Sequence, residues 1–240
     1  MRKKNLVFFI ISILFLCLLF IVYKSDMKKP IFLLNAKQSD ELKADSNHPE
    51  LLEGKTIVID AGHGGFDRGT VGLSYETIEK DLNLTVAHNI KQELEKRTRA
   101  TVVLTREDDS NPGNNQKDSL QKRIELADAS SADLFMSIHH DAFTDRDVKG
   151  ITTHYSSHLK DNKKLAKIMQ QSIFRQNIQT RDRGIKDSDF YILKNNSKPA
   201  ILLELGFTSN EEDEIRMISE EFQTNSTKAI VDGVIEFFSE

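Results

Sequence analysis

Cysteine is almost absent. One residue, Cys17, occurs in 240, so no intramolecular disulfide can form and thiolates drop out as metal ligands in the body of the chain. Any metal site must be built from His, Asp and Glu. Basic excess is absent too: 33 Lys and Arg stand against 37 Asp and Glu, for a formal charge of −4. That balance excludes a general nucleic-acid binder, which carries a basic surface. Internal repeats, low-complexity tracts and appended wall-binding modules are also lacking. Nothing resembles a collagen, a disulfide scaffold or a long disordered tail. The length and ordinary apolar fraction suit one globular domain plus an extension.

One long apolar run is present. Arg2, Lys3 and Lys4 precede Leu6–Tyr23, broken only by Ser12 and Cys17. At 1.5 Å per residue this run spans about 27 Å, close to a bilayer's hydrocarbon core. No small-residue cleavage site follows, and Leu14, Phe15 and Leu16 are too bulky for lipoprotein processing at Cys17. The run is read as an uncleaved signal anchor, residues 6–23, with residues 1–5 inside. Lysines on both flanks weaken the charge bias that sets this orientation. Residues 24–54 are polar, contain Pro30 and Pro49, and read as a tether reaching roughly 30 Å. Ile31–Leu34 is its one apolar patch, a short contact with the bilayer surface or the domain. The expected place of the remainder is the extracytoplasmic face of the cell membrane.

Residues 55–240 alternate strand and helix. Ile57-Val58-Ile59 is an apolar run without alternation, as in a strand covered on both faces. It stops at Ala61-Gly62-His63-Gly64-Gly65, which presents His63 on a sharp turn. Leu82, Val86, Ile90 and Leu94 recur every four residues in a helix over 79–97. Strands are expected at 101–105, 133–139, 150–155 (Thr-rich, nearer an edge), 190–193 and 200–204. Further helices are expected from Ser119 as N-cap to Ala129, over 161–178, after Asn210 as N-cap, and over 226–238. The fold class is therefore α/β: a single domain with a mostly parallel or mixed sheet of about six strands, helices on both faces, and one transmembrane helix before it.

The chemistry gathers at strand ends. His63 follows the first strand, His139 ends the 133–139 strand, Glu204 closes the 200–204 strand, and Glu79 opens the first helix. Parallel strands bring these positions to one sheet edge. Taken singly, His139 reads as a core histidine and Glu79 as a carboxylate matching a helix dipole. Glu204 resists such a reading, because a carboxylate after Ile201-Leu202-Leu203 is costly to bury alone. Together, two imidazoles and a carboxylate make a three-ligand zinc set with an open position. A second carboxylate can then move a proton from water to a leaving amine, and the four suffice for amide hydrolysis.

Five segments carry a resemblance: Ile59-Asp-Ala-Gly-His-Gly-Gly65, Ile78-Glu-Lys-Asp-Leu-Asn-Leu84, Leu104-Thr-Arg106, Ser137-Ile-His-His-Asp-Ala142 and Leu203-Glu-Leu-Gly-Phe-Thr-Ser-Asn210. In this order and spacing, over about 55–239, the chain resembles the N-acetylmuramoyl-L-alanine amidase family called amidase type 3, its membrane-anchored Gram-positive forms most. The resemblance implies His63, Glu79 and His139 as ligands of one zinc ion per chain and Glu204 as the catalytic glutamate. It implies hydrolysis of the amide joining N-acetylmuramic acid to L-alanine in peptidoglycan. Ala61 stands where the family usually has Pro, and Asp141 where it often has Asn. His140 rivals His139, or else contacts substrate or supports the ligands from behind. Alternation sends the two to opposite faces, and the motif favours His139. Some relatives insert an autoinhibitory helix next, for which 141–149 is too short, so control falls to a membrane or extracellular partner protein. Arg106 is read as holding a carboxylate near the site, holding the substrate, or forming a surface salt bridge. Arg123 is read as structural, His88 and His154 as surface or core residues, and Glu211–Glu214 as charge matched to a helix N-terminus. The alternatives are a tethered, non-catalytic peptidoglycan-binding regulator of the same fold and a zinc carboxypeptidase acting on wall peptides.

Overall fold

The structure, a computed structural model, describes residues 51–240. The anchor expected at 6–23 and the tether up to residue 50 lie outside the described residues. No helix among the described residues is long and apolar enough to cross a membrane. Residues 51–54 form a turn whose Leu52 packs on the core, and the Leu51 carbonyl accepts from Arg99 N–H at 2.9 Å.

Six strands form one mixed sheet. In chain order the elements are β1 (Thr56–Ala61), α1 (Glu79–Arg97), β2 (Thr101–Leu104), α2 (Gln116–Ala129), β3 (Leu134–Asp141), β4 (Ile151–Tyr155), α3 (Lys160–Arg175), β5 (Asp182–Asp187), α4 (Tyr191–Lys194), β6 (Ala200–Phe207), α5 (Glu211–Met217) and α6 (Glu220–Ser239). Across the sheet the order is β2-β1-β3-β6-β4-β5. The first four run parallel, β4 opposes β6, and β5 is parallel to β4. The α/β domain with a mixed six-stranded sheet is thus the expected one. From β1 the chain steps out to β2, then back past β1 to β3. That reversal opens a crevice at the carboxyl ends of β1 and β3, where open α/β sheets hold ligands.

Strand alternation divides the side chains between two faces. One face carries Ile57, Ile59, Met136, Ile138, Ile201 and Leu203, packed with α1, α3 and α6 through residues such as Val86, Ile90, Met169 and Ile230. Each such side chain, fully buried, contributes about 1.5–3 kcal/mol by leaving water. The other face carries Val58, Phe135, Ala200 and Leu202, packed with Ile124 and Ala127 of α2 and Ile192 and Leu193 of α4. Asp60, His139 and Glu204 belong to this second face.

Several boundaries differ from expectation, each for a local reason. α2 begins at Gln116 because Asn115, not Ser119, caps it, accepting from Asp118 N–H at 3.0 Å. Ser119 lies inside the helix, where its hydroxyl accepts from Arg123 Nε at 3.2 Å. α6 likewise starts after Ser219, which accepts from Phe222 N–H. Ser226 instead bonds the Phe222 carbonyl one turn back, at 2.7 Å. Residues 190–193 are not a strand: Tyr191–Lys194 is one helical turn burying Ile192 and Leu193. Four residues are too few for periodicity to separate the two states. β5 is the strand that sequence reading missed. Asp-Arg-Gly-Ile-Lys-Asp is polar because it is an edge strand paired only to β4, and charge on an edge deters further pairing. β4 stands one in from that edge and is wholly buried.

Candidate active site

The turn after β1 is held by its own carbonyls. His63 has φ 61°, a left-handed conformation unusual for a residue with a side chain. Such strain, roughly 1–3 kcal/mol, persists only where the surroundings enforce it. Here they do. Arg123 Nη1 donates to the Ala61 carbonyl at 2.8 Å and Nη2 to the His63 carbonyl at 2.6 Å. Arg106 donates to the Ala61 and Gly62 carbonyls at 2.9 and 3.0 Å, and Asn83 Nδ2 reaches the Gly62 carbonyl at 3.1 Å. Three successive carbonyls are therefore clamped.

The clamp also ties β1 to α1. Arg106 Nη2 donates to the Lys80 carbonyl at 2.7 Å, one residue after Glu79. Arg106 is thus a buried backbone clasp. Two of the expectations for it fail: among the described residues its hydrogen bonds go to backbone carbonyls and not to a carboxylate, and it forms no surface salt bridge. Arg123 is structural, as expected, and is ion-paired to buried Asp60 on β1. Asp60 also accepts from Thr105 and Ser137 hydroxyls at 2.6 Å each. Burial alone would raise its pKa, but Arg123 and the two hydroxyls outweigh that and hold the carboxyl below its usual range.

On this frame three side chains converge. Glu79 Oε1 lies 3.1 Å from His63 Nε2 and 3.0 Å from His139 Nδ1. One ligand atom from each of the three falls within 4.8 Å of the others. The imidazole rings stand 4.9 Å apart at 78°. Glu79 Oε2 accepts from Thr70 N–H at 2.8 Å, and His63 Nδ1 meets Asp67 Oδ2 at 2.9 Å. Burial disfavours charge on Glu79, yet the two histidines overcome it and keep the carboxyl far below the carboxylate range. Burial likewise lowers His63, but Glu79 and Asp67 raise it above the ordinary imidazole value. Glycine is required at two approaches. A Cβ on Gly62 would sit 2.3 Å from the His139 ring, and one on Gly69 would sit 2.5 Å from Glu79 Oε2.

Glu204 faces the same space. In the β3–β6 ladder it lies beside His139. A cavity of about 220 Å³ is lined by His63, His139, Glu204, Asp67, Leu202 and Tyr191 among others. Glu204 is buried and its Oε2 has no hydrogen-bond partner among the described residues. Burial, then the nearby Asp141 and Glu79 charges, push its pKa well above the usual range.

The rival His140 points away, to the opposite face. Its Nδ1 lies 2.7 Å from Asn83 Oδ1, and burial lowers it to about 4. It is not a member of the converging set, but it lies behind it: its ring meets Asn83 and its backbone N–H donates to Glu79 Oε1 at 3.3 Å. His88 is a surface residue and His154 a buried one, as expected.

Sequence reading passed over Asp67, Asn83 and Thr70. Only Asp67 left a signal, four residues after His63 in His-Gly-Gly-Phe-Asp. The Glu211–Glu214 run is more than charge at a helix start, because Asp213 and Glu214 are fully buried. Glu214 accepts from the N–H groups of Ser74, Tyr75 and Thr77 at 2.9, 3.0 and 3.2 Å, pinning the loop that leads into Glu79. Asp213 accepts from Gly150 and Phe207 N–H at 2.8 and 2.9 Å.

Comparison with known proteins decides what this geometry belongs to. A family model described as N-acetylmuramoyl-L-alanine amidase matches residues 57–236. The chain belongs to the N-acetylmuramoyl-L-alanine amidase family. It is 38% identical over 193 residues to YqiI of Bacillus subtilis, an uncharacterized protein, spanning 80% of this chain and 88% of YqiI. The crystal structure of the N-acetylmuramoyl-L-alanine amidase from Clostridium difficile 630 superposes with a TM-score of 0.72 at 36% identity. That match covers 78% of this chain and 97% of the other. The CwlD amidase of Clostridioides difficile, solved in complex with the GerS lipoprotein, gives a TM-score of 0.72 at 34% identity over 77% and 98% of the two chains. This member of the amidase family is an enzyme of the cell wall, and its substrate is peptidoglycan.

Proposed function

We propose that the amidase is zinc-dependent, that His63, Glu79 and His139 hold the ion, and that Glu204 moves the proton. Two imidazole nitrogens and one carboxylate oxygen are a zinc donor set with room for a fourth ligand. The supporting observation is the convergence of those three atoms beside a buried carboxyl that lacks a partner. Asp67 on the far nitrogen of His63 fits too, since ligating histidines commonly give their other nitrogen to a carboxylate. When bound, zinc supplies Lewis acidity, lowering the pKa of water and polarising a carbonyl.

The chain's own residues do the rest. Asp67 fixes the His63 tautomer and ring, and Thr70 N–H together with Asn83 fixes the Glu79 carboxylate. The buried Glu204 has high proton affinity, as needed by a group that takes a proton from water and returns it to the leaving nitrogen. Water's oxygen bonds to the lactyl carbonyl carbon, the C–N bond breaks, and the proton carried by Glu204 goes to the alanine nitrogen. The products are a free lactyl carboxyl on the glycan and a stem peptide with a free amine.

The same reading places the domain outside the cytoplasmic membrane, tethered by residues 6–23 and controlled by a partner protein there. Residues 142–150 contain no helix that would cover the cavity from within the chain, and the relative CwlD is solved with a lipoprotein bound. The test is digestion of peptidoglycan by the purified full chain with zinc, followed by mass spectrometry. Release of intact stem peptides bearing N-terminal alanine supports the reading. Fragments cut at peptide carboxyl ends, or none at all, refute it. Protease accessibility of the domain on intact protoplasts tests the location.

A further inference from the structure

We propose that a cationic groove beside the catalytic cavity binds carboxylates of the stem peptide through Arg181, Arg183 and Lys186. The inference rests on the amidase reading and adds the part of the substrate that the enzyme recognises by charge.

The groove encloses about 320 Å³ and is lined by Thr152 and His154 of β4, by Arg183 and Lys186 of β5, and by Arg181 just before β5. Thr152 lies directly opposite Glu204 in the antiparallel β4–β6 ladder, so the two side chains share a face. Asp141, also lining the groove, is two residues past His139 on β3. The groove therefore starts about 5–7 Å from the reacting groups. An extended peptide advances about 3.3–3.6 Å per residue, so the second and third residues of a stem peptide reach the cations while its first amide lies at Glu204.

The cations are free to act. All three are exposed, and among the described residues none pairs with a carboxylate within 4.0 Å. Arg183 lies with its guanidinium 5.1 Å from the Phe207 ring centroid, and its Nη1 donates to the Lys149 carbonyl at 3.4 Å, so both keep it at the groove wall. The groove's acids are already engaged: Asp182 Oδ1 accepts from Gln170 Nε2 and Gly184 N–H at 2.6 and 2.8 Å, and Asp141 Oδ1 from Ala142 N–H at 2.8 Å. In the catalytic cavity the one lining arginine, Arg123, is engaged by Asp60 and two carbonyls, and the cavity also holds the carboxyls of Asp67 and Glu204. A substrate carrying both a sugar and an acidic peptide is thereby oriented, its charged end toward β5.

The experiment uses the full chain in detergent with zinc. Calorimetry measures binding of a stem tripeptide containing D-glutamate and diaminopimelate, and of the same peptide with its carboxylates converted to carboxamides. Kinetics on the matching muramyl-peptides follow, for wild type, Arg181→Gln, Arg183→Gln and Lys186→Gln. We expect the carboxylate form to bind at least about tenfold tighter, and each substitution to raise KM for that form about tenfold, with the effect on KM and not kcat. The carboxamide form should not sense the substitutions, and its own turnover reports that each variant is folded. Equal affinity of wild type for the two peptides overturns the proposal, as does a loss confined to kcat. Peptide discrimination without any turnover would remove the amidase reading and leave the groove. Turnover without discrimination would do the reverse.

Discussion

Replacing Arg123 by Gln is the perturbation that probes the frame of the site most sharply. In the native chain the guanidinium pairs with Asp60, both side chains being 3% exposed or less, and clamps the carbonyls of Ala61 and His63. Removing one partner of a buried ion pair costs about 3–5 kcal/mol, because the other charge stays buried without compensation. For a domain of this size each kcal/mol moves the melting temperature by about 2–4 °C, so a fall on the order of 10 °C is expected. Asp60→Asn added to Arg123→Gln removes the stranded charge and should return part of that loss. It should not return activity, because the His63 carbonyl still lacks its donor and the left-handed turn is no longer enforced. The pH dependence has a definite sign. In wild type the Asp60 carboxyl lies below its unfolded value, so its stabilisation is present above that value and is lost as pH falls through the folded pKa. In Arg123→Gln the largest opposition to burial is gone, leaving the two hydroxyls and the more weakly acting His139, so the carboxyl rises and the difference between the proteins shrinks as pH drops from 7 toward 5. Thermal unfolding by circular dichroism across that range is the assay. A variant melting within about 2 °C of wild type at pH 7, or no recovery in the double variant, would refute the reasoning.

Other perturbations follow from the same geometry. Asp67→Asn leaves His63 without its carboxylate partner and should weaken zinc binding about 10–100-fold, read by competition with a chelator. Gly62→Ala drives a methyl into the His139 ring and should lower zinc occupancy, measured by metal analysis, more than it lowers overall stability. His154 is buried beside Ser188, and burial, then Lys186, lower it to about 4 from 6.5. Its folded form rejects the proton that the unfolded chain takes up, so wild type should lose stability as pH falls from 6.5 toward 4, by up to about 3 kcal/mol from this group. Urea unfolding of His154→Gln should show a flatter pH dependence over that window.

Much of the site was legible because the chemistry lies toward the carboxyl ends of strongly apolar strands. Ile57–Ile59 and Ile201–Leu203 announce buried strands, and His63 follows the first directly, but β3 runs on past His139 to Asp141 and β6 past Glu204 to Phe207, so neither residue closes its strand as expected. Alternation sent His139 and His140 to opposite faces, and the family resemblance chose His139 between them. The frame was less legible. Nothing local marks Arg106 as a clasp on β1 carbonyls 44 and 45 residues away, or Glu214 as the pin of a loop some 140 residues earlier. Such long-range bonds leave no periodic trace. β5 was hidden because an edge strand need not bury side chains, and α4 because four apolar-rich residues fit helix and strand equally well.

The most direct test of the central claim compares wild type with Glu204→Gln, the full chain with zinc acting on peptidoglycan, following release of stem peptides with a free alanine amine while counting zinc per chain. The account predicts about one zinc in both proteins and a rate in the variant lower by about 10²–10⁴-fold. Glu204→Gln turning over at the wild-type rate, or wild type releasing peptide with no metal bound, would contradict it.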